Sequence, residues 1–70
     1  MAIVKATQYC IDNLGAKEGF TIKTEDFDPV AHCHLIKPQQ LWLAGISQET
    51  IDNTELSEDG LVFVHLAYFD

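Results

Sequence analysis

The first segment of the chain, AIVKATQYCIDNLG, carries apolar residues at helical spacing. Such residues recur every three or four positions along one face of an amphipathic helix. Gly15 follows at the position where a left-handed C-cap ends many helices. The pattern predicts a helix that begins between residues 2 and 5, and the β-branched pair Ile3-Val4 leaves a short strand as the alternative. The apolar positions of this series are Ile3, Ala6, Cys10 and Leu14, with Val4 and Ile11 beside them.

Apolar and polar residues alternate in two segments in the middle of the chain, which is the period of a half-buried strand. The first segment runs from Phe20 to Glu25 and the second from Val30 to Ile36. Residues 25 to 29, EDFDP, predict a turn between them. We expect one face of the second strand to join the core and the other to point away from it. The expected core face is Ala31, Cys33 and Leu35, and the opposite face is Val30, His32, His34 and Ile36.

Two alternatives remain open for residues 37 to 56. The motif Lys37-Pro38-Gln39-Gln40 suits a four-residue hairpin loop followed by a return strand over 41 to 46, which we favour. Pro38 and Gly45 would equally frame one short helix, because proline is favoured at the first helical position and glycine just past the end. Ser47 predicts a helix start before residues 48 to 54, with a strand over 51 to 56 as the alternative.

The strongest local pattern is Ser57-Glu58-Asp59-Gly60, which predicts a type I turn with Gly60 at its left-handed position, followed by the apolar run LVFVHLAYF. It predicts a nine-residue strand over 61 to 69. Only one face of this strand is apolar at every position, so we expect that face in the core. The expected core residues are Val62, Val64, Leu66 and Tyr68, and the opposite, aromatic face holds Leu61, Phe63, His65, Ala67 and Phe69.

These elements predict an α+β fold: an N-terminal helix packed on a small antiparallel sheet of three to five strands. Seventy residues support one small domain over residues 1 to 70, because so short a chain cannot build two cores. A core of this size supplies roughly 3–5 kcal/mol, so a disulfide, a metal or a second copy of the chain in a homodimer would be a natural supplement. Two cysteines are too few for the dense disulfide framework of a small secreted protein, and with no signal-like segment we expect a cytoplasmic protein. No apolar run is long enough to span a membrane.

The formal net charge is −7, and it is unevenly distributed. Residues 1 to 40 contain all four lysines and have a net charge of −1, whereas residues 41 to 70 contain six acids and no lysine or arginine. The chain has no arginine, the side chain that best recognises phosphate and guanine. Direct binding to nucleic acid is therefore not expected, nor is binding to an anionic membrane surface.

The acidic C-terminal half instead suggests a protein partner with a basic surface. Such a partner could be a nucleic-acid-binding protein whose basic groove is occupied, so that this small acidic module acts as an inhibitor and nucleic-acid mimic. The alternative interaction face is Phe63, His65 and Phe69, which would suit a homodimer or a hydrophobic contact. The predicted partner-binding residues are Glu49, Asp52, Glu55, Glu58 and Asp59.

The histidines raise a second hypothesis, a transition-metal-binding protein. His32 and His34 share one face of the predicted strand, and the faces assigned above would add His65 on the same side of the sheet. No carboxylate on that face orients an imidazole, so a metal site is the weaker alternative and no cofactor is expected. A small enzyme, or a subunit of one, ranks third, because no cysteine or serine is arranged beside a base.

Overall fold

The computed structural model describes residues 2 to 69, and the elements below lie within that range. Mixed helices and antiparallel strands form one small compact α+β domain. The strands are β1 (Ala2–Lys5), β2 (Thr21–Thr24), β3 (Asp26–Asp28), β4 (Cys33–Ile36) and β5 (Val62–His65). The α-helices are α1 (Gln8–Leu14), α2 (Pro38–Leu43) and α3 (Gln48–Asp52), and a 3₁₀ helix spans Leu66–Tyr68.

The strands form two sheets, β1-β2 and β3-β4-β5, in which all neighbouring strands are antiparallel. The predicted helix start between residues 2 and 5 is wrong, because Ile3-Val4 lies in β1 and pairs with residues of β2. Helix α1 begins only after Thr7, whose hydroxyl accepts a hydrogen bond from the backbone N–H of Cys10. Gly15 has φ 77° at the end of α1, so the predicted left-handed C-cap is confirmed.

The predicted turn over residues 25 to 29 is also wrong, because residues 26 to 28 form β3 and pair with β4. The turn lies further along the chain. The Asp28 carboxylate accepts hydrogen bonds from the backbone N–H groups of Val30 and Ala31, at 2.9 and 3.2 Å. His32 then has a left-handed backbone with φ 55°, so it lies before β4 rather than within it. The hydrogen bonds of the Asp28 side chain place the turn later in the chain than predicted. The alternation of apolar and polar residues gives no information about such bonds.

Residues 37 to 56 contain two helices and no return strand over 41 to 46. Pro38 occupies the first position of α2, as the helical alternative predicts, and Gly45 follows the helix with φ 93°. The predicted helix start at Ser47 is confirmed, since its hydroxyl accepts from the backbone N–H of Thr50. The predicted left-handed glycine at Gly60 is confirmed as well, with φ 78°.

The nine-residue strand over 61 to 69 is wrong beyond His65, where the 3₁₀ helix begins. His65 Nδ1 accepts a hydrogen bond of 3.0 Å from the backbone N–H of Ala67, which caps this helix and ends the alternation. Val62 and Val64 are buried as predicted. Leu66, predicted to lie in the core, is 41% exposed.

The faces of β4 are the reverse of those predicted. Ile36 is fully buried and pairs with Val62, and His34 pairs with Val64. Cys33 and Leu35 therefore lie on the opposite face, where they pair with His65 and Phe63. Within an antiparallel sheet the paired residues share a face, so the buried valines of β5 fix the inward side of β4.

One buried cluster joins helices and strands around Ile22, Ile36, Leu41 and Val62. Helix α1 makes its main contacts with the 3₁₀ helix, where Tyr9 stacks on Tyr68 at 4.9 Å between ring centroids. The predicted packing of this helix on the sheet is not confirmed. None of the helices within residues 2 to 69 is long and apolar enough to cross a membrane.

Candidate functional site

The five acids predicted to bind a partner are all exposed and follow one another along the chain. Glu49 and Asp52 lie on α3, three residues apart, so their side chains are neighbours on its surface. Glu55 follows the helix, and its backbone C=O accepts a hydrogen bond of 3.2 Å from the N–H of Phe63 in β5. Glu58 and Asp59 lie in the turn before β5. Residues 49 to 59 are called the acidic segment below.

The lysines lie outside the acidic segment. Among residues 2 to 69 the sole ion pair joins Lys37 Nζ to Glu25 Oε1 at 3.5 Å. Lys37 also lines a shallow depression together with Asp59, which places this acid closer to a positive charge than its position in the sequence suggests. Asp70, the sixth acid after residue 40, lies outside the described residues.

Local hydrogen bonds fix the helix that carries Glu49 and Asp52. Ser47 caps its N-terminus, and Glu49 lies in the first turn, where a negative charge is favourable. Asp52 lies in the last turn, where a negative charge is unfavourable, and its Oδ1 accepts a hydrogen bond from Gln48 Nε2 at 2.6 Å. The helix dipole therefore does not explain the acid at position 52.

Helix α2, beside α3, exposes two large apolar residues that the strand interpretation concealed. Trp42 is 59% exposed and Leu43 is 60% exposed, while Leu41 and Ala44 of the same turn are buried. The sequence does not indicate this exposure even for a helix, because four consecutive apolar residues, 41 to 44, show no helical periodicity. The region from α2 to the turn at residue 60 thus combines exposed carboxylates with an exposed indole.

The three histidines are not brought together. His32 lies in the turn before β4, His34 lies on the face of Val64, and His65 lies on the opposite face beside Cys33. Within the described part of the chain, no three His, Cys, Asp or Glu residues are grouped as metal ligands. The expected common face is wrong because it rested on the reversed faces of β4.

His34 is held by aromatic rings instead. Its ring lies between those of Phe27 and Phe69, at centroid distances of 5.0 and 5.4 Å. Its Nδ1 is buried without a hydrogen-bond partner, and burial lowers the pKa of this imidazole from its ordinary value of 6.5. Burial among these rings therefore favours the neutral form of His34.

The alternative interaction face, Phe63, His65 and Phe69, is divided by the structure. Phe63 and His65 lie on the same face of β5. Phe69 lies beyond the 3₁₀ helix and contacts His34, which belongs to the other face of the sheet. The strand on which this grouping depended ends at His65.

A cavity of about 330 Å³ between the helices and the end of β5 was not predicted from the sequence. Its walls come from six different elements, so no local pattern could have indicated it. Apolar side chains from α1, α2, α3 and β5 line most of it, and Glu55 and His65 are among its polar residues. Cys33 also lines it, and burial, then the charges of Asp28 and Glu55, raise the pKa of this thiol.

Comparison with known protein families, with characterised proteins and with solved structures gave no match to this chain.

Proposed function

We propose that this protein is a non-enzymatic interaction module whose acidic segment binds the basic surface of a protein partner. The interaction face consists of Glu49, Asp52, Glu55 and Glu58, with Trp42 of α2 as its apolar anchor. A nucleic-acid-binding protein is the preferred partner class, because its basic groove already attracts closely spaced negative charges. Occupying that groove would inhibit nucleic-acid binding.

One observation carries the proposal: the acids of this face are exposed, and none of them forms an ion pair with a lysine among residues 2 to 69. Carboxylates that are neutralised by neighbouring cations add little to association. Carboxylates without a cation partner generate a negative potential that accelerates encounter with a positive surface and weakens as salt is added.

Trp42 supports the same region of the surface. Tryptophan is enriched among the interface residues that contribute most to binding, particularly where the surrounding contacts exclude water. Asp59 is left out of the proposed face, because Lys37 lines the same depression and reduces the local negative potential. Glu55 also borders the cavity, so a test of the acidic face is cleaner without it.

The test is charge reversal with a matched control. The double variant Glu49→Lys/Asp52→Lys changes the charge on α3, whereas the control Asp12→Lys/Glu18→Lys makes the same change on and beside α1. The control is closely matched, because Asp12 accepts a hydrogen bond from Gln8 as Asp52 does from Gln48. Each exposed substitution should change stability by no more than about 0.5 kcal/mol.

A partner is first captured from a cell extract with the unmodified protein and then produced separately for affinity measurements. We expect the α3 variant to lose at least about tenfold in affinity through a slower on-rate, and the control to lose much less. Added salt should lower the affinity of the unmodified protein for the partner in the same way. Duplex DNA should compete with the unmodified protein for the partner. Equal affinities for both variants, independent of salt, would show that the acids do not bind the partner.

A further inference from the structure

The cavity next to the acidic segment has the composition of a small-molecule site. Its volume of about 330 Å³ lies within the range of ligand pockets, and such pockets are mainly apolar with a few polar groups that orient the ligand. The inner walls include Leu41, Ile46 and Ile51, which are nearly fully buried. Leu14, at the end of α1, completes the apolar wall.

Two polar residues that line the cavity, Glu55 and His65, lie beside and at the end of β5. Glu55 lies opposite Phe63, which donates its backbone N–H to the Glu55 C=O. Leu66 donates its N–H to His32 on the β4 side, so the odd-numbered residues of β5 direct their backbone groups away from β4. The N–H and C=O of His65, a residue that lines the cavity, consequently point away from β4. Glu55 and His65 are diagonal neighbours, about 7–8 Å apart between Cα atoms.

The charge at this opening is negative. Glu55 is exposed, and no lysine lies among the residues that line the cavity. All four lysines precede residue 38, and the described part of the chain provides no ion pair for Glu55. A ligand with an apolar body and one positive group would place the body against the leucine and isoleucine side chains and the positive group at the carboxylate.

We propose that the cavity binds a small aromatic or aliphatic amine, with its hydrocarbon part inside and its ammonium group at Glu55. This inference does not rest on the proposed protein partner, although Glu55 belongs to both sites. At about 30 Å³ for each small group in a condensed phase, the volume accommodates roughly ten non-hydrogen atoms. Phenethylamine matches this size, and phenethyl alcohol and phenylacetate are its neutral and anionic counterparts.

The experiment titrates the folded protein with each of these three compounds and follows its amide NMR signals. We expect phenethylamine to shift the signals of residues around the cavity, with an affinity about fivefold higher than that of phenethyl alcohol, because an exposed ion pair adds a modest free energy. Phenylacetate should bind most weakly. Glu55→Gln should reduce the affinity for the amine to that for the alcohol and leave the affinity for the alcohol unchanged.

Glu58→Gln is the matched control, since it removes the same charge from a nearby exposed residue that does not line the cavity. It should leave the preference for the amine in place. Leu14→Phe adds volume to the wall and should therefore lower the affinities for the amine and the alcohol by similar factors. The proposal is wrong if the amine and the alcohol bind equally, if Glu58→Gln acts like Glu55→Gln, or if no compound shifts the cavity signals. All variants are compared only after their spectra show the native fold.

Discussion

The two faces of the three-stranded sheet differ in what covers them, although the same strands build both. The inner face carries Ile36, Val62 and Val64, all buried in the core. The outer face carries Leu35, Phe63 and other residues that are only partly buried or exposed. It also bears charge, because Asp26 and Asp28 of β3 pair with Leu35 and Cys33. The inner face supports the fold, and the outer face is available for contacts with other molecules.

The largest effect should separate two adjacent residues of β4. Ile36→Ala should lower the free energy of unfolding by about 2–5 kcal/mol, because it leaves a cavity in the packed core. Leu35→Ala removes a partly buried side chain from the outer face and should cost about half as much or less. Denaturant unfolding of both variants measures the difference. Equal losses would show that the outer face is covered as completely as the inner one.

A second variant tests where the inner face ends along the chain. Alternation over residues 61 to 69 predicts a core position for Leu66, but the side chain is 41% exposed in the 3₁₀ helix. Leu66→Ala should therefore cost about 1 kcal/mol, well below the loss for a buried leucine. Thermal unfolding of Leu66→Ala beside Ile36→Ala provides the check, and a loss as large as that of Ile36→Ala would return Leu66 to the core.

The pH dependence of stability provides a test of the inner face, because His34 is the titratable residue on that face. Burial lowers its pKa below 6.5, so the unfolded chain takes up a proton at a higher pH than the folded protein does. Stability should therefore be fully present above pH 6.5 and decrease as the pH falls toward the pKa of the folded state. Denaturant midpoints between neutral and mildly acidic pH measure this decrease.

The control for this prediction is His34→Phe, which keeps a ring between Phe27 and Phe69 and removes the titration. Asp26 and His34 line one small cavity, and His34→Phe leaves Asp26 in place, so the informative quantity is the difference between the pH profiles of the two proteins. The decrease should be smaller in His34→Phe. Parallel pH profiles would contradict the assignment of the effect to this imidazole.

The smallest expected effect is a difference in the rate at which the two thiols are modified, because one lies in the core and the other on the outer face of the sheet. Cys10 is fully buried in the core, and Cys33 lies partly exposed on the outer face. Burial raises the pKa of both, and Asp28 and Glu55 raise that of Cys33 further, so the reactive thiolate form of each is disfavoured at neutral pH. A thiol reagent should modify Cys33 slowly, faster at higher pH, and Cys10 only on unfolding. Mass spectrometry of Cys10→Ala and Cys33→Ala separates the two sites.

The sequence alone predicts those features that depend on a few adjacent residues. Strand β2, the helix start at Ser47 and the left-handed glycines at Gly15 and Gly60 are confirmed. Each rests on a local preference, such as a hydroxyl that caps a helix or a glycine with positive φ. The exposure of the acids from Glu49 to Asp59 also follows from their charge.

The remaining features depend on contacts between distant residues. Ile3 and Val4 fit the helical spacing, but pairing with β2 makes them a strand. The faces of β4 are fixed by its pairing with β5, since Ile36 is opposite Val62. The wrong face for Cys33 and His34 followed from choosing the more uniformly apolar side. The cavity is built from elements across the whole chain, so its walls are not adjacent in the sequence.

The contacts between the start of α1 and the 3₁₀ helix also have a consequence for the order of folding. The Thr7 N–H and hydroxyl both donate to the C=O of Tyr68, and Ala6 pairs with Phe69. Closing a loop of 61 residues costs roughly 3–4 kcal/mol of chain entropy beyond a constant, so these contacts are unfavourable until the intervening segments are ordered. They should therefore be absent from the transition state and act mainly by slowing unfolding. Thr7, which begins a helix in the native structure, would therefore form its contacts with the 3₁₀ helix late in folding.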